Sequence, residues 1–404
     1  MKPLSHIRVL ELGQVIAGTF AGMMLADLGA EVIKIEPPHG DLGRNPHIGY
    51  LRGESAIFLT FNRGKKSTVM NLKHPRGLAA FHDLVKVSDV VIDNFRPGAT
   101  ARIGADYETL SALNPGIVCC SVTGFGDTGP RRDMPSFDLI HQSLSGLLKV
   151  TGERGGEPAR IGIPLADIGT PMFALSGLLA ALVARQVTGR GQKVEVSMLE
   201  SMTFLNTYDA VLYLNTGAVP EAWGTSHAYH VPWQAFATSD GHVVVATREE
   251  AFWRRYCEAI GMPELAEDPR YAENLARLEH RDELVAILEA RMRERSSGEW
   301  MEVFLRLGVP SAPVNDLAQA LLEPTIADTG AIVEVPYAPL GTLRMMANPL
   351  RLSEDDRTYS GPPILGEHTR QVLAEVAGYK ADTIADLERE GAVGLLPPPG
   401  EGAG

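Results

Sequence analysis

The chain has 404 residues, 45% of them hydrophobic and 22% charged, enough apolar material for a sizeable core without disulfide or metal staples. A formal net charge of -13 has the wrong sign for a nucleic-acid binder, although basic groups such as Arg63-Gly64-Lys65-Lys66 can still hold phosphates locally. Cys119, Cys120 and Cys257 show no metal-ligand spacing and read as reduced thiols, and the N-terminus enters a strand pattern directly, so a cytoplasmic location is expected.

Residues 7–12 read as a strand ending at Gly13, residues 19–28 as a short helix closed by Gly29, and residues 31–36 as a second strand. Strand, turn, helix and strand make a parallel crossover unit. The pattern recurs: helix 75–87 precedes strand 89–93, and helix 107–113 precedes strand 116–122. This predicts an α/β, Rossmann-like large domain. Long helices follow at 137–150 and 168–187, then a strand at 193–198 and a helix at 199–214. The apolar stretch at 172–183 is too short and too rich in Gly and Ala to span a bilayer, so no membrane partner is expected. Residues 217–232 read as a linker or active-site loop, 233–247 as a hairpin, and the stretch to about 307 as mostly helical. Strands return at 331–335 and 343–345, and the Pro/Gly-rich tail 395–404 is expected to be mobile. The expected domains are 1–215, a smaller inserted α+β domain at 216–325, and a C-terminal return at 326–404.

Two places invite chemistry. Glu36 ends the second strand, where an acidic residue can meet a ribose hydroxyl. The glycines of the first turn are Gly13, Gly18 and Gly22, which do not form G-x-G-x-x-G, so nicotinamide binding is disfavoured and the glycines read equally well as packing residues. Asp167, in Ile163-Pro164-Leu165-Ala166-Asp167-Ile168-Gly169, stands at the start of a helical pattern. An N-cap is the ordinary role for Asp there. The same position suits a nucleophile, because the helix dipole favours the carboxylate and nearby amides can hold an oxyanion.

Val9-Leu10-Glu11-Leu12, residues 25–36, Asn62-Arg63-Gly64-Lys65-Lys66-Ser67, Asp93-Asn94-Phe95-Arg96-Pro97-Gly98, Ser121-Val122-Thr123-Gly124-Phe125-Gly126, residues 164–169, Thr188-Gly189-Arg190-Gly191-Gln192, residues 308–314 and Leu365-Gly366-Glu367-His368-Thr369 together resemble the class III CoA transferases, the formyl-CoA transferase and carnitine CoA-transferase family. Each block alone is weak; their shared order from about residue 4 to 380 is specific.

The resemblance implies a large domain interrupted by a smaller one and two chains interlocked as a homodimer. It puts Asp167 in the place of the family's nucleophile. Val15, Ile16 and Ala17 fall where family members contact CoA and the acyl group. Leu72 and Lys73 fall near the adenine, and Asn94, Phe95 and Arg102 at pantetheine- and phosphate-contacting positions. The implied substrates are an acyl-CoA and a small carboxylic acid, with no tightly bound cofactor and no metal. Asp167 attacks the donor thioester, a mixed anhydride and CoA thiolate form, and the thiolate returns to give an aspartyl-CoA thioester. The acceptor carboxylate repeats these steps in reverse and leaves with CoA.

Ile16 stands where formyl-CoA transferase carries glutamine, and no tetraglycine run is present, which disfavours formate or oxalate. Succinyl-CoA and a small dicarboxylate are the expected pair. Their second carboxylate needs a cation, for which Arg44 and Arg52 are the candidates. Phe137, Gly169, His227 and Tyr229 are further candidates for the acyl pocket. The rival reading is an α-methylacyl-CoA racemase, which needs a His where Phe137 stands; His141 lies one turn further on. A catalytically silent CoA-binding protein has no use for Asp167.

Overall fold

In the computed structural model, residues 2–45 and 49–394 are described; the 395–404 tail lies outside them. Six parallel strands form the central sheet in the order β5-β2-β1-β6-β7-β8. They are β1 (Arg8–Glu11), β2 (Glu31–Glu36), β5 (Lys65–Val69), β6 (Val90–Asp93), β7 (Val118–Thr123) and β8 (Lys193–Ser197), with a small antiparallel hairpin of β3 (Tyr50–Leu51) and β4 (Glu54–Ser55) between β2 and β5. Leu10 of β1 pairs with Ile33 of β2 and Val91 of β6, and all three are buried, as expected for a sheet covered on both faces. The strand order runs outward in both directions from β1. The crevice beyond the ends of β1 and β6 is therefore the topological switch point, where doubly wound sheets bind ligands.

The core of this unit joins Leu10, Ile33, Phe81, Leu84, Val91 and Leu110 to Val372, Leu373, Ile384 and Leu387 of the C-terminal helices Thr369–Glu375 and Ala381–Arg389. Burying each such side chain is worth about 1.5–3 kcal/mol, which explains why the chain returns here after its excursion. The helix Leu165–Thr188 packs on β7 and β8 and against the helices Phe20–Asp27, Asp138–Leu144 and Met198–Phe204. It is long and apolar enough to cross a membrane by length and composition, but Ala166, Ala174, Leu175, Leu178 and Leu182 are buried in the protein. The helix expected at 137–150 is broken after Leu144, where Gly146 takes φ +91°.

The second compact unit comprises Leu148–Ala159 and Ala218–Asp328; the first comprises Met1–Leu147, Arg160–Gly217 and Thr329–Gly404. The second holds the antiparallel sheet β11-β10-β9, formed by β9 (Trp233–Ala237), β10 (His242–Ala246) and β11 (Ser311–Pro313). Its separate core is built on Trp253, Tyr256, Leu284, Leu288, Trp300 and Phe304. The segment Leu148–Ala159 groups with this unit although its sequence position lies well before the expected boundary.

The buried charges Glu11, Lys34 and Lys65 of the parallel sheet are paired, with Asp41 from the loop after β2 completing the group. The Lys34 ammonium lies 3.2 Å from Glu11 and 2.7 Å from Asp41, and donates to the Gly13 carbonyl at 2.7 Å. Lys65 lies 2.7 Å from Glu11 and donates to the Thr19 carbonyl. Burial opposes the Lys34 charge, but Glu11, Asp41 and Glu36 outweigh it and hold the pKa above its ordinary value. Burial brings Lys65 down to about 8 against the pull of Glu11. Lys34→Met strands the buried Asp41 carboxylate and is expected to cost about 3–5 kcal/mol in urea unfolding; a loss below about 1 kcal/mol contradicts this role.

Candidate active site

The turn between β1 and the helix Phe20–Asp27 is held from three sides. Lys34 takes the Gly13 carbonyl, and Asp41 Oδ1 accepts from the Val15 amide at 3.0 Å. The Asn94 side chain brackets Gln14, accepting from its amide at 2.9 Å and donating to its carbonyl at 3.0 Å. Val15 has φ +63°, a left-handed conformation that a β-branched residue adopts at a cost of about 1–3 kcal/mol when its surroundings impose it. The glycines are there for packing. A Cβ on Gly18 would stand 2.5 Å from Asn94 Cγ, and one on Gly22 would stand 1.8 Å from the Glu11 carboxylate. Glu36 has no part in ribose binding: it is buried and accepts from Arg44, Ser67 and the Asp41 amide.

Asp167 is the third residue of the helix Leu165–Thr188, inside its first turn, and Pro164 occupies the cap position. The capping role expected for Asp167 falls instead to Asp138, whose Oδ1 accepts from the Ala166 amide at 2.8 Å. Gln142, one turn further along the Asp138 helix, donates to Asp138 Oδ2 at 2.8 Å and accepts from the Ile161 amide at 3.0 Å. Two side chains of one helix thus fix the start of another. Pro171 has no amide hydrogen for the Asp167 carbonyl four residues back, which weakens the helix at the same place.

Asp167 lines a cavity of about 490 Å³ together with Val15, Ile16, Ala17, Asn94, Phe95 and Phe137. Burial, with the like charge of Asp138 second, raises its pKa to about 6, so the desolvated site outweighs the helix-dipole stabilisation expected from sequence. A second cavity of about 520 Å³ is lined by Leu72, Lys73, Phe95 and Arg102. Gln14 and Phe95 line both. The residues singled out along the chain for CoA therefore stand on two cavities that share a wall.

Other expected site residues lie elsewhere. Arg44 is not available to a substrate carboxylate: it makes a two-pronged pair with Glu36 at 2.7 Å and lies 3.6 Å over the Phe58 ring. Arg52 sits exposed at the tip of the β3–β4 hairpin with φ +49° and is not in the Asp167 cavity wall. Gly169 faces Met202, 3.3 Å from where its Cβ would be, so its small size serves helix packing rather than substrate approach. His227 and Tyr229 belong to the second unit, where the His227 ring stacks on Trp233 at 4.7 Å and His227 Nδ1 accepts from the Tyr229 amide. His141 is fully buried and bonded to Ser136, and among the described residues no imidazole lines the Asp167 cavity. A racemase base is therefore missing opposite Asp167. Sequence reasoning missed the cations that do line it, Arg96 and Arg132; Arg96 was within reach, in the Asn94-Phe95-Arg96-Pro97-Gly98 block.

Comparison with known proteins gives a consistent picture. The family model of CoA-transferase family III matches residues 4–369. The chain is 36% identical to the succinyl-CoA:glutarate CoA-transferase of Mus musculus, covering 97% of this chain and 91% of that one. It is 36% identical to the succinate–glutarate CoA-transferase of Agrobacterium fabrum, covering 93% and 96%. The crystal structure of a CAIB/BAIF family protein from Brucella suis superposes with a TM-score of 0.83 at 34% identity, covering 93% of this chain and 99% of that one.

The raised pKa has two consequences. The kcat/KM profile should lose activity as pH falls through about 6, and Asp138→Asn should move that limb to lower pH by removing a like charge; an unmoved limb contradicts the coupling. Asp167 holds its proton more tightly folded than unfolded, so its ionisation lowers stability as pH rises from 3.8 to about 6. Asp167→Asn should therefore melt at a higher temperature than the parent at pH 7, with the difference shrinking below pH 4; a lower melting temperature at pH 7 contradicts the assignment.

Proposed function

The chain belongs to CoA-transferase family III and is an acyl-CoA:carboxylate CoA-transferase, and from that premise we propose that Asp167 is its covalent nucleophile and that succinyl-CoA and a small dicarboxylate are its substrates. The observation that carries this is that Asp167 shares one cavity wall with Arg96 and Arg132. The thioester end of CoA enters beside Val15, Ile16 and Ala17, while its nucleotide end follows Phe95 toward Arg102 and Lys73. An Asp167 oxygen attacks the thioester carbon, the C–S bond breaks, and CoA leaves as thiolate. The thiolate then attacks the Asp167 Cγ of the anhydride and releases the donor acid. An acceptor carboxylate attacks the resulting aspartyl-CoA, and the thiolate finally takes the new acyl group and frees Asp167. Protons balance throughout, because a carboxylate enters and a carboxylate leaves.

The dicarboxylate reading rests on Arg96 and Arg132, the cations of the Asp167 cavity, together with the substrates named for the mouse and Agrobacterium relatives. A guanidinium pairs with a distal carboxylate in a two-pronged geometry that a monocarboxylic acid cannot use. The same reading carries a homodimer. The helix Thr207–Thr216 buries no residue within one chain, and Tyr208, Val211 and Leu214 are more than half exposed, a face suited to cover by a second copy.

Purified enzyme with succinyl-CoA should transfer CoA to glutarate-sized dicarboxylates much faster than to matched monocarboxylates, and Arg96→Gln with Arg132→Gln should raise the dicarboxylate KM about ten-fold or more. Equal rates for the two acid classes, or an unchanged KM in the double variant, contradict the substrate reading. Light scattering should give twice the 43.6 kDa chain mass; a monomer at assay concentration contradicts the dimer.

A further inference from the structure

The chemistry at Asp167 places negative charge on an acyl oxygen each time a carbonyl is attacked, and that oxygen needs a donor. Three backbone amides of the surrounding loops and helix start are committed. Asp138 holds the Ala166 amide, Asp41 the Val15 amide and Asn94 the Gln14 amide. Ser136 also lines the Asp167 cavity, and its hydroxyl lies 2.6 Å from Nε2 of the buried His141. The other ring nitrogen, His141 Nδ1, is buried and has no hydrogen-bond partner among the described residues. A buried N–H without an acceptor costs more than a buried bare nitrogen, so the proton belongs on Nε2. His141 then donates to Ser136 Oγ, and the hydroxyl hydrogen is left to point elsewhere. Its acceptor within the protein is the Met198 sulfur at 3.6 Å, a weak one that an oxyanion outcompetes. Burial lowers the His141 pKa against the opposing charge of Asp138, which keeps the ring neutral and the direction of donation fixed.

The surroundings preserve this pair. The Phe125 ring lies 4.9 Å from the imidazole. A Cβ on Gly124 would stand 2.4 Å from Ser136 Oγ and 3.3 Å from His141 Nε2, so the absent side chain leaves room for the hydrogen bond.

We propose that Ser136 is a further catalytic residue of this enzyme, donating its hydroxyl hydrogen to the acyl oxygen that becomes charged as Asp167 reacts, and that His141 is the positioning residue that orients it. The proposal rests on the Asp167 reading above. The chemistry is charge stabilisation: the Ser136 O–H stays intact, His141 keeps its proton, and no bond to either is made or broken.

The test is steady-state kinetics with succinyl-CoA and glutarate on four variants that melt cooperatively near the parent temperature. Ser136→Ala should lower kcat about 10²-fold with both KM values little changed, because the oxygen carries charge only in the transition state. His141→Leu should lower kcat by a similar factor, the double variant should fall no further, and His141→Gln, which keeps an N–H donor, should recover part of the loss. A Ser136→Ala kcat within about three-fold of the parent overturns the proposal, as does a double variant whose losses multiply. Asp167→Ala run alongside separates the two claims: if it still turns over, the nucleophile reading fails, whereas an inactive Asp167→Ala beside a fully active Ser136→Ala removes Ser136 alone.

Discussion

The buried charges of β1, β2 and β5, with Asp41 from the loop after β2, are the constraint on which the active-site wall depends. Glu11, Lys34, Asp41 and Lys65 compensate one another where water cannot reach, and three of them spend their remaining hydrogen-bonding capacity on the turn after β1. An apolar replacement would keep the sheet packed but would release Gly13 and Val15. Buried ion pairs often add little net stability over an apolar substitute. Here their value is positional: they hold Val15 in a conformation it would otherwise leave, beside the cavity where the substrate reacts.

Asp167 shows the complementary tension. A nucleophilic carboxylate must be ionised, yet one well solvated or tied up by donors is inert. The fold meets both needs by giving the cap to Asp138 and leaving Asp167 desolvated. A raised pKa means a carboxylate held in a site that disfavours its charge, the kind of stored cost found where activity matters more than stability. Ser136 lies two residues before the helix that supplies both Asp138 and His141, so one short helix caps the nucleophile's helix and orients a donor at its cavity.

Much of this was legible in the chain. Alternating strand and helix signals gave the order of the parallel sheet's elements as far as β2 and from β6 onward, because hydrophobic periodicity is local. The strand Lys65–Val69 was missed: its lysines read as a phosphate-binding patch, and only their acidic partners, Glu11 for Lys65 and Glu31 for Lys66, on other strands show that one is buried and both are paired. The same limit governs the site. Asp167 stood out by its motif, whereas Arg44 looked free because nothing near it reveals that Glu36 and Phe58 claim it. Gly169 was assigned to substrate by position, while its neighbour Met202 lies on another element. Residue types declare what chemistry a side chain can do; the long-range partner decides whether it is available to do it.

The central claim is that CoA passes through a covalent bond to Asp167. The most direct measurement is the intact mass of the enzyme after brief mixing with succinyl-CoA and no acceptor, followed by peptide mapping. The account predicts a CoA-sized addition confined to the peptide that holds Asp167, discharged when a dicarboxylate is added and absent in Asp167→Ala. Turnover with no addition on that peptide, or an addition that persists in Asp167→Ala, would contradict it.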